Sequence, residues 1–247
     1  QGKSSAGDAY VFRVYEQKDP ISGLEVLLDQ SRPNIEGHFE LDFNIKEIKE
    51  VTIKVGLQSM KLFVIPGKTY SLNFNEITLQ DQNLFLPQQP LQVVFEEEDF
   101  LNLVIGGFEY EYQKFLENNF IELIKLRDKS LYYKFEDKIR QKLKETSIED
   151  SIILHFFEKY IDYRLAEIQL SGRIHQKEEL GLNLITAKSI ELNNPAYAQF
   201  FNQYFDQYLH SFKEGKEYSN LRSLLNKGLP IDRLFDQLGR DPVLVKE

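Results

Sequence analysis

Close to residue 97 the apolar pattern of this sequence changes from a period of two to a period between three and four. Before that point apolar and polar residues alternate, as in HFELDFNI (38–45), which is the pattern of a half-buried strand. After that point apolar residues recur at steps of three and four, which predicts amphipathic helices. The sequence therefore predicts an α+β protein with two segregated domains.

The first part of the chain predicts an antiparallel β-sandwich over residues 1–97. Besides 38–45, alternating segments lie at 9–15, 51–55, 70–74 and 91–95. Turn-forming residues separate them, at Asp19-Pro20, Ser22-Gly23, Asn34 to Gly37 and Pro66-Gly67. Short strands spaced about ten residues apart are typical of sandwiches. The polar, small-residue start, residues 1–8, is predicted to be flexible.

Residues 98–247 are predicted to form an all-α domain. The acidic run from Glu96 to Asp99 favours a helix start, because carboxylates stabilise the N-terminal end of a helix. Helical patterns follow at 108–127, 131–145, 148–168, 197–212, 218–226 and 230–238. Asp241 and Pro242 begin a further helix just before the last residue, so we expect this domain to be truncated at its C-terminus.

Charge and composition exclude several classes of protein. A net charge of −9 and a pI near 5.1 argue against a nucleic-acid binder, which needs a basic surface. No apolar run approaches the roughly 20 residues of a membrane-spanning helix. The absence of cysteine removes disulfides, thiol nucleophiles and cysteine-bound metals. The start QGKSSAGDAY, without an initiator methionine, indicates a cleaved targeting segment or a cloning decision, and we favour export.

The stretch LFVIPGKTYSLNF (62–74) contains Gly67-Lys68-Thr69, the last three residues of a phosphate-binding loop. Such a loop requires a second glycine five positions earlier and a helix after the threonine. Here Leu62 stands at that earlier position and a strand pattern follows Thr69. Pro66 and Gly67 suit the two central positions of a type II turn. We therefore predict a turn between two strands and no cofactor site.

The histidines offer no clear metal or catalytic site. The chain has four, His38, His155, His175 and His210, and they are scattered. Charged residues lie three and four positions from His155, a spacing that an ion-paired helix face explains better than a metal site. Zinc-protease and serine-hydrolase motifs are absent. We predict no catalytic, cofactor-binding or metal-binding residue, and no cofactor.

The segment 197–212 carries seven phenylalanine or tyrosine residues in sixteen positions. The first interpretation, which we favour, is packing between helices, with the core formed by Phe201, Phe205, Tyr208 and Phe212. The second is a surface that stacks on sugar rings or grips a peptide. In that case the ligand or partner surface is formed by Tyr197, Tyr204 and Tyr208.

The order of these features resembles a known family. Four segments carry the resemblance: Asp-Pro-Ile-Ser-Gly (19–23), Gly-x-Phe-x-Leu-x-Phe (37–43), the hairpin-like LFVIPGKTYSL (62–72) and the acidic run that precedes the first helix. Together they resemble the N-terminal region of exported Bacteroidetes proteins, in which a DUF4369-like β domain and a helical segment precede a TlpA-type thioredoxin-like domain. The redox Cys-x-x-Cys of that domain is absent here, so no catalytic residue is carried over.

The resemblance implies a periplasmic or outer-membrane-associated protein with an accessory role, and it is compatible with a lipid anchor on the precursor. We therefore expect a non-catalytic interaction module, the N-terminal part of a thiol-disulfide oxidoreductase-like envelope protein, with a protein or peptide partner. The alternative is a stand-alone periplasmic or surface protein that binds peptide or glycan. The interpretation that we favour least is a hydrolase whose catalytic groups are carboxylates and His155.

Overall fold

The computed structural model describes residues 2–4, 10–20, 22–74, 91, 93–96, 99–187 and 189–211, and the side chains of all but residues 3, 4 and 207–211. Within these ranges the strands all lie at or before Phe95 and the helices all lie at or after Phe100. The predicted α+β class with segregated parts is confirmed.

Four strands form an antiparallel sheet, which we name the long sheet. Its members are β2 (Phe12–Asp19), β3 (Leu24–Ser31), β5 (Lys49–Val55) and β6 (Gln58–Val64), in the order β3-β2-β5-β6. Alternate residues of β5 are buried, Val51, Ile53 and Val55, as the period of two predicts. The edge strand β3 was not predicted, because its sequence LEVLLDQS does not alternate. In the structure its pairing with β2 has two register shifts, so its side chains do not alternate regularly between the two faces.

Four shorter strands form a second sheet, which we name the short sheet. Its members are β1 (Gly2–Ser4), β4 (His38–Phe39), β7 (Leu72–Phe74) and β8 (Val94–Phe95), in the order β4-β1-β7-β8. The pair β1/β7 is parallel, and the other two pairs are antiparallel. The inner faces of the two sheets share one core, in which the Phe12 ring lies 3.8 Å from that of Phe39 and 5.1 Å from that of Phe74.

Strand β1 corrects the prediction of a flexible start for residues 2–4, whereas residues 1 and 5–8 lie outside the described residues. Residues 2–4 pair with β4 on one side and with β7 on the other. Gly2 lies against the Phe39 ring so closely that a Cβ atom would come within 2.3 Å of a ring carbon. Polar composition did not reveal this strand, because its place depends on backbone pairing and on the small size of Gly2.

Five α-helices follow among the described residues: α1 (Phe100–Phe120), α2 (Lys129–Glu145), α3 (Ser151–Gly172), α4 (Lys177–Gly181) and α5 (Pro195–Ser211), with π-helical turns at Ile121–Lys125 and Leu182–Thr186. The Asp128 side chain accepts the Ser130 N–H at 3.0 Å and so caps α2. The helices predicted at 218–226 and 230–238 and the helix start at Asp241-Pro242 lie outside the described residues.

By internal packing the chain divides into two compact units. The first comprises Gln1–Tyr110, Ile152–Phe157 and Leu192–Pro195, and the second comprises Glu111–Ser151, Glu158–Glu191 and Ala196–Glu247. The domain division near residue 97 stays a prediction. Buried residues of the second unit include Tyr132 and Phe135 of α2, Ile161, Leu165 and Ile168 of α3, and Tyr197 and Phe200 of α5.

Candidate functional site

The Gly67-Lys68-Thr69 segment is a turn. The Lys68 N–H donates to the Ile65 carbonyl at 3.2 Å, and Gly67 has a φ of +75°. Proline followed by a glycine with positive φ is the signature of a type II turn, which is therefore confirmed. The turn connects β6 of the long sheet to β7 of the short sheet, so the hairpin expected from the family pattern is instead a connection between the two layers of the sandwich.

Beside this turn a small polar cluster forms around Lys68. Its Nζ lies 3.4 Å from the Oδ1 of buried Asp99 and 5.2 Å from the centre of the Tyr70 ring. The Tyr70 hydroxyl accepts the Ile65 N–H at 2.8 Å, and burial is the main reason that the pKa of Tyr70 is raised. The cation of Lys68 is thus held by a carboxylate and an aromatic ring of the protein itself, which argues against a phosphate cradle.

An opening in the first unit lies next to this cluster. Residues 40–44 follow β4, have no assigned secondary structure and keep its alternation of burial, with Leu41 and Phe43 half-buried against the core. Across the opening lies the segment that leads from the turn into β7. Between them is a cavity of about 680 Å³, a volume within the roughly 300–1,000 Å³ of known ligand sites. We name this opening the slot.

The floor of the slot is the inner face of the long sheet. It is formed by side chains from three of that sheet's strands: Val14, Val51, Ile53, Leu62 and Val64. As far as the residues are described, strands of the long sheet have seven or eight residues, whereas those of the short sheet have two or three. No sequence pattern indicated this difference, since HFELDFNI alternates over its whole length.

A second surface of interest is the first half of α1, residues 100–110. Leu101, Ile105 and Phe108 are buried on one side. On the other side Leu103 is 67% exposed and Tyr110 is 66% exposed. Two glycines, Gly106 and Gly107, lie between these exposed residues, and a Cβ at either would meet nothing within 4 Å. We name Leu103, Gly106, Gly107 and Tyr110 the α1 face.

The predicted tyrosine surface is wrong at two of its three positions. Tyr197 and Tyr204 are completely buried, and the Tyr197 ring packs at 5.0 Å from that of Tyr163. The side chain of Tyr208 lies outside the described residues. The aromatic segment does pack between helices, but its fully buried residues are Tyr197, Phe200 and Tyr204, while Phe201 and Phe205 are only half-buried.

The described histidines do not converge. His38 and His155 are exposed. The Nδ1 atom of His175 lies 3.8 Å from a carboxylate oxygen of Glu179. The side chain of His210 is not among those described. In the part of the chain that the structure describes, no three His, Asp or Glu side chains are arranged to hold a metal ion.

A smaller cavity of about 260 Å³ lies in the second unit. Its lining is mostly polar and includes Arg140 and Asp162, whose side chains form an ion pair at 2.6 Å. His175 and Glu179 also contribute to its wall. Its volume lies below the roughly 300 Å³ at which known ligand sites begin, and the charges of Arg140 and Asp162 already neutralise one another.

Comparisons with known proteins found no matching family model, no matching curated protein and no matching solved structure. The family resemblance and the envelope location therefore stay predictions. Across the described ranges, none of the helices combines the length and the apolar character that crossing a membrane requires.

Proposed function

We propose that this chain is a non-catalytic module that binds another protein, and that the α1 face is its contact surface. The observation that supports this proposal is the apolar character of the first half of α1, residues 100–110, on both of its sides. From Phe100 to Tyr110 the only charged residue is Glu109. A helix at a protein surface normally carries polar and charged residues on its outer side, because only its inner side loses contact with water.

The two glycines of the α1 face support the same proposal. Glycine in the interior of a helix costs about 1 kcal/mol relative to alanine, so the pair weakens α1. Among the described residues no side chain or backbone requires them, since a Cβ at Gly106 or Gly107 would meet open space there. Glycine allows another backbone to approach closely, and the flanking Leu103 and Tyr110 offer apolar contact area.

The proposal is tested by photo-crosslinking in the cells that produce the protein. A photoreactive phenylalanine analogue at position 103 is expected to crosslink to a discrete protein, and Tyr110→Glu and Gly107→Leu are expected to abolish the product. The matched control is Asn118→Glu, an exposed position later on the same helix, which should leave the product unchanged. A product that survives both α1-face changes would refute the proposal.

We further propose an envelope location and an association with a thioredoxin-like domain, on the sequence resemblance alone. The direct test is the reading frame beyond Glu247. A Cys-x-x-Cys in a strand–helix context is the expected result, and a stop codon directly after Glu247 would remove this proposal. Fractionation of the cells that produce the protein tests the location independently. Recovery of the protein in the cytoplasmic fraction would contradict an envelope location.

A further inference from the structure

Three large apolar side chains are exposed where α1 passes into the π-helical turn Ile121–Lys125. Phe120 is 53% exposed, Ile121 is 56% exposed and Leu126 is 71% exposed. The Leu126 N–H donates to the Ile121 carbonyl at 3.1 Å, so these two residues lie one helical turn apart. Apolar residues that are exposed singly are ordinary, but three within seven positions indicate a contact surface.

Basic side chains lie beside these apolar ones. Lys125, Arg127 and Arg173 are exposed, and none of their side chains forms an ion pair or a hydrogen bond with another described residue. Residues 120–130 and 170–175 together contain four basic and two acidic residues, whereas the whole chain contains 30 basic and 39 acidic ones. This part of an acidic protein is therefore locally positive.

Two contacts bring the end of α3 to the π-helical turn. The Lys129 Nζ donates to the Ile174 carbonyl at 2.6 Å. A Cβ at Gly172 would lie 3.4 Å from the Cγ atom of Leu123. Arg173 thus joins a surface that the sequence alone divides between two distant segments. We name this surface the basic end and define it by Phe120, Ile121, Lys125, Leu126, Arg127 and Arg173.

The backbone at the two arginines supports a role for their side chains. Arg127 has a φ of +57° and Arg173 a φ of +51°, and among the described residues no other non-glycine residue has a positive φ. Glycine is the usual residue where a helix ends in this conformation, so arginine is not the choice that the backbone favours. A cation near the end of a helix is favourable to the helix, but that effect does not explain exposed apolar side chains beside it.

The combination of apolar and basic side chains matches the surface of an anionic lipid bilayer. There, apolar side chains enter the acyl boundary while Lys and Arg remain near the lipid phosphates. A nucleic acid would engage the cations but leave the aliphatic side chains in water. An acidic protein would need a surface shaped to these side chains, whereas a bilayer accepts them without a preformed fit.

We propose that the basic end binds the surface of an anionic lipid bilayer. Because the chain as a whole carries a charge of −9, only a local cluster of this kind can attract it to such a surface, and the cluster would orient the bound protein. This inference depends neither on the α1 face, which lies in the first unit, nor on the family resemblance.

Binding is measured by sedimenting the full chain with vesicles of phosphatidylcholine, with and without about one third phosphatidylglycerol. We expect at least about tenfold tighter binding to the anionic vesicles, and weaker binding as NaCl rises from about 0.05 to about 0.5 M. Equal binding to the two kinds of vesicle would refute the proposal. Displacement from the vesicles by polyglutamate at the same charge concentration would also refute it, because the partner would then be an acidic protein.

The contribution of charge is isolated by a variant that also relaxes the backbone. Arg127→Gly combined with Arg173→Gly removes two cations, and glycine accommodates a positive φ better than arginine does. This double variant should keep or raise its Tm and bind anionic vesicles about 25-fold more weakly, at about fivefold per cation. The control Lys144→Gln removes an exposed cation at the other end of α2 and should not change binding. Unchanged binding of the double variant would contradict the proposal.

The apolar contribution is tested at Leu126. Leu126→Ser should weaken vesicle binding several-fold, whereas Ile152→Ser, at a residue with a similar exposure of 69%, should not. Because the chain has no cysteine, Leu126→Cys also provides one attachment point for an environment-sensitive dye. On anionic vesicles the dye emission should shift to shorter wavelength, and a nitroxide on the lipid acyl chain should quench it. The same dye attached through Lys144→Cys should show neither change. A dye at position 126 that stays in water while the protein sediments with the vesicles would overturn this mode of binding.

Discussion

The side-chain amide of Asn102 forms two hydrogen bonds with the backbone of Phe63. Its Oδ1 accepts the Phe63 N–H at 2.8 Å, and its Nδ2 donates to the Phe63 carbonyl at 2.8 Å. The same Nδ2 also donates to the Asp99 carboxylate at 2.6 Å. Phe63 lies on β6, an edge strand of the long sheet. The first turn of α1 thus covers an edge that would otherwise be open to pairing with another chain.

Asn102→Asp should destabilise the protein by roughly 1–3 kcal/mol, because a carboxylate cannot donate to the Phe63 carbonyl and would lie beside Asp99. The free energy of unfolding in urea measures the effect. The matched control, Asn118→Asp, changes the same atoms at an exposed position of the same helix and should remain within about 0.5 kcal/mol of the parent. Equal effects at both positions would contradict this role of Asn102.

Gly67→Ala should cost about 1 kcal/mol in the free energy of unfolding. The space around Gly67 is open, so the cost comes only from the backbone, whose φ of +75° disfavours residues that carry a Cβ. Urea denaturation gives the value. Gly67→Asn is the control and should cost less, since asparagine tolerates the left-handed region better than alanine.

Gly106→Ala and Gly107→Ala should each stabilise the isolated protein by about 1 kcal/mol, because both lie inside α1 with open space around them. Thermal unfolding measures the gain as a higher Tm. The same variants should weaken crosslinking at the α1 face. A loss of stability in either variant would show that the glycines serve the fold of the chain itself.

Glu111 should make stability depend on acid pH. The side chains of Lys138 and Lys142 bind its carboxylate at 2.7 and 2.8 Å, and these hydrogen bonds lower the pKa of Glu111 to about 2. Because the folded pKa lies below the unfolded one, the contribution is complete above about pH 4.5 and is lost as the pH falls through about 2.

Glu111→Gln should therefore lower the free energy of unfolding at pH 6 by only about 0.5–1 kcal/mol, since water screens this partly exposed group. The difference from the parent protein should shrink as the pH approaches 2. Urea titrations between pH 6 and pH 2.5 measure it. A difference that stays constant over this range would mean that the effect of the substitution is not electrostatic.

Local sequence chemistry predicted those elements whose formation depends on neighbouring residues. Pro66-Gly67 specified a type II turn, and the turn is present. The helical period over 148–168 predicted a helix that the structure places at Ser151–Gly172. The period of two in β5 predicted which of its side chains are buried.

Contacts distant in sequence determined the elements that the sequence did not reveal. Strand β1 forms because its backbone pairs with β4 and β7 and because Gly2 leaves room for the Phe39 ring. The aromatic pattern of α5 indicated packing but not which residues face the core. Tyr197 and Tyr204 became buried through their helix neighbours, so the predicted tyrosine surface was wrong there.

By itself, then, the sequence determined the change from strands to helices near residue 97 and the turn at Gly67, because periodicity and backbone preference act over a few residues. Only the tertiary structure decided that β6 and β7 belong to different sheets and which residues line the slot. The α1 face was decided in the same way. Which side of a helix faces water depends on what packs against that helix. When both sides are apolar, the sequence pattern does not indicate which side remains exposed.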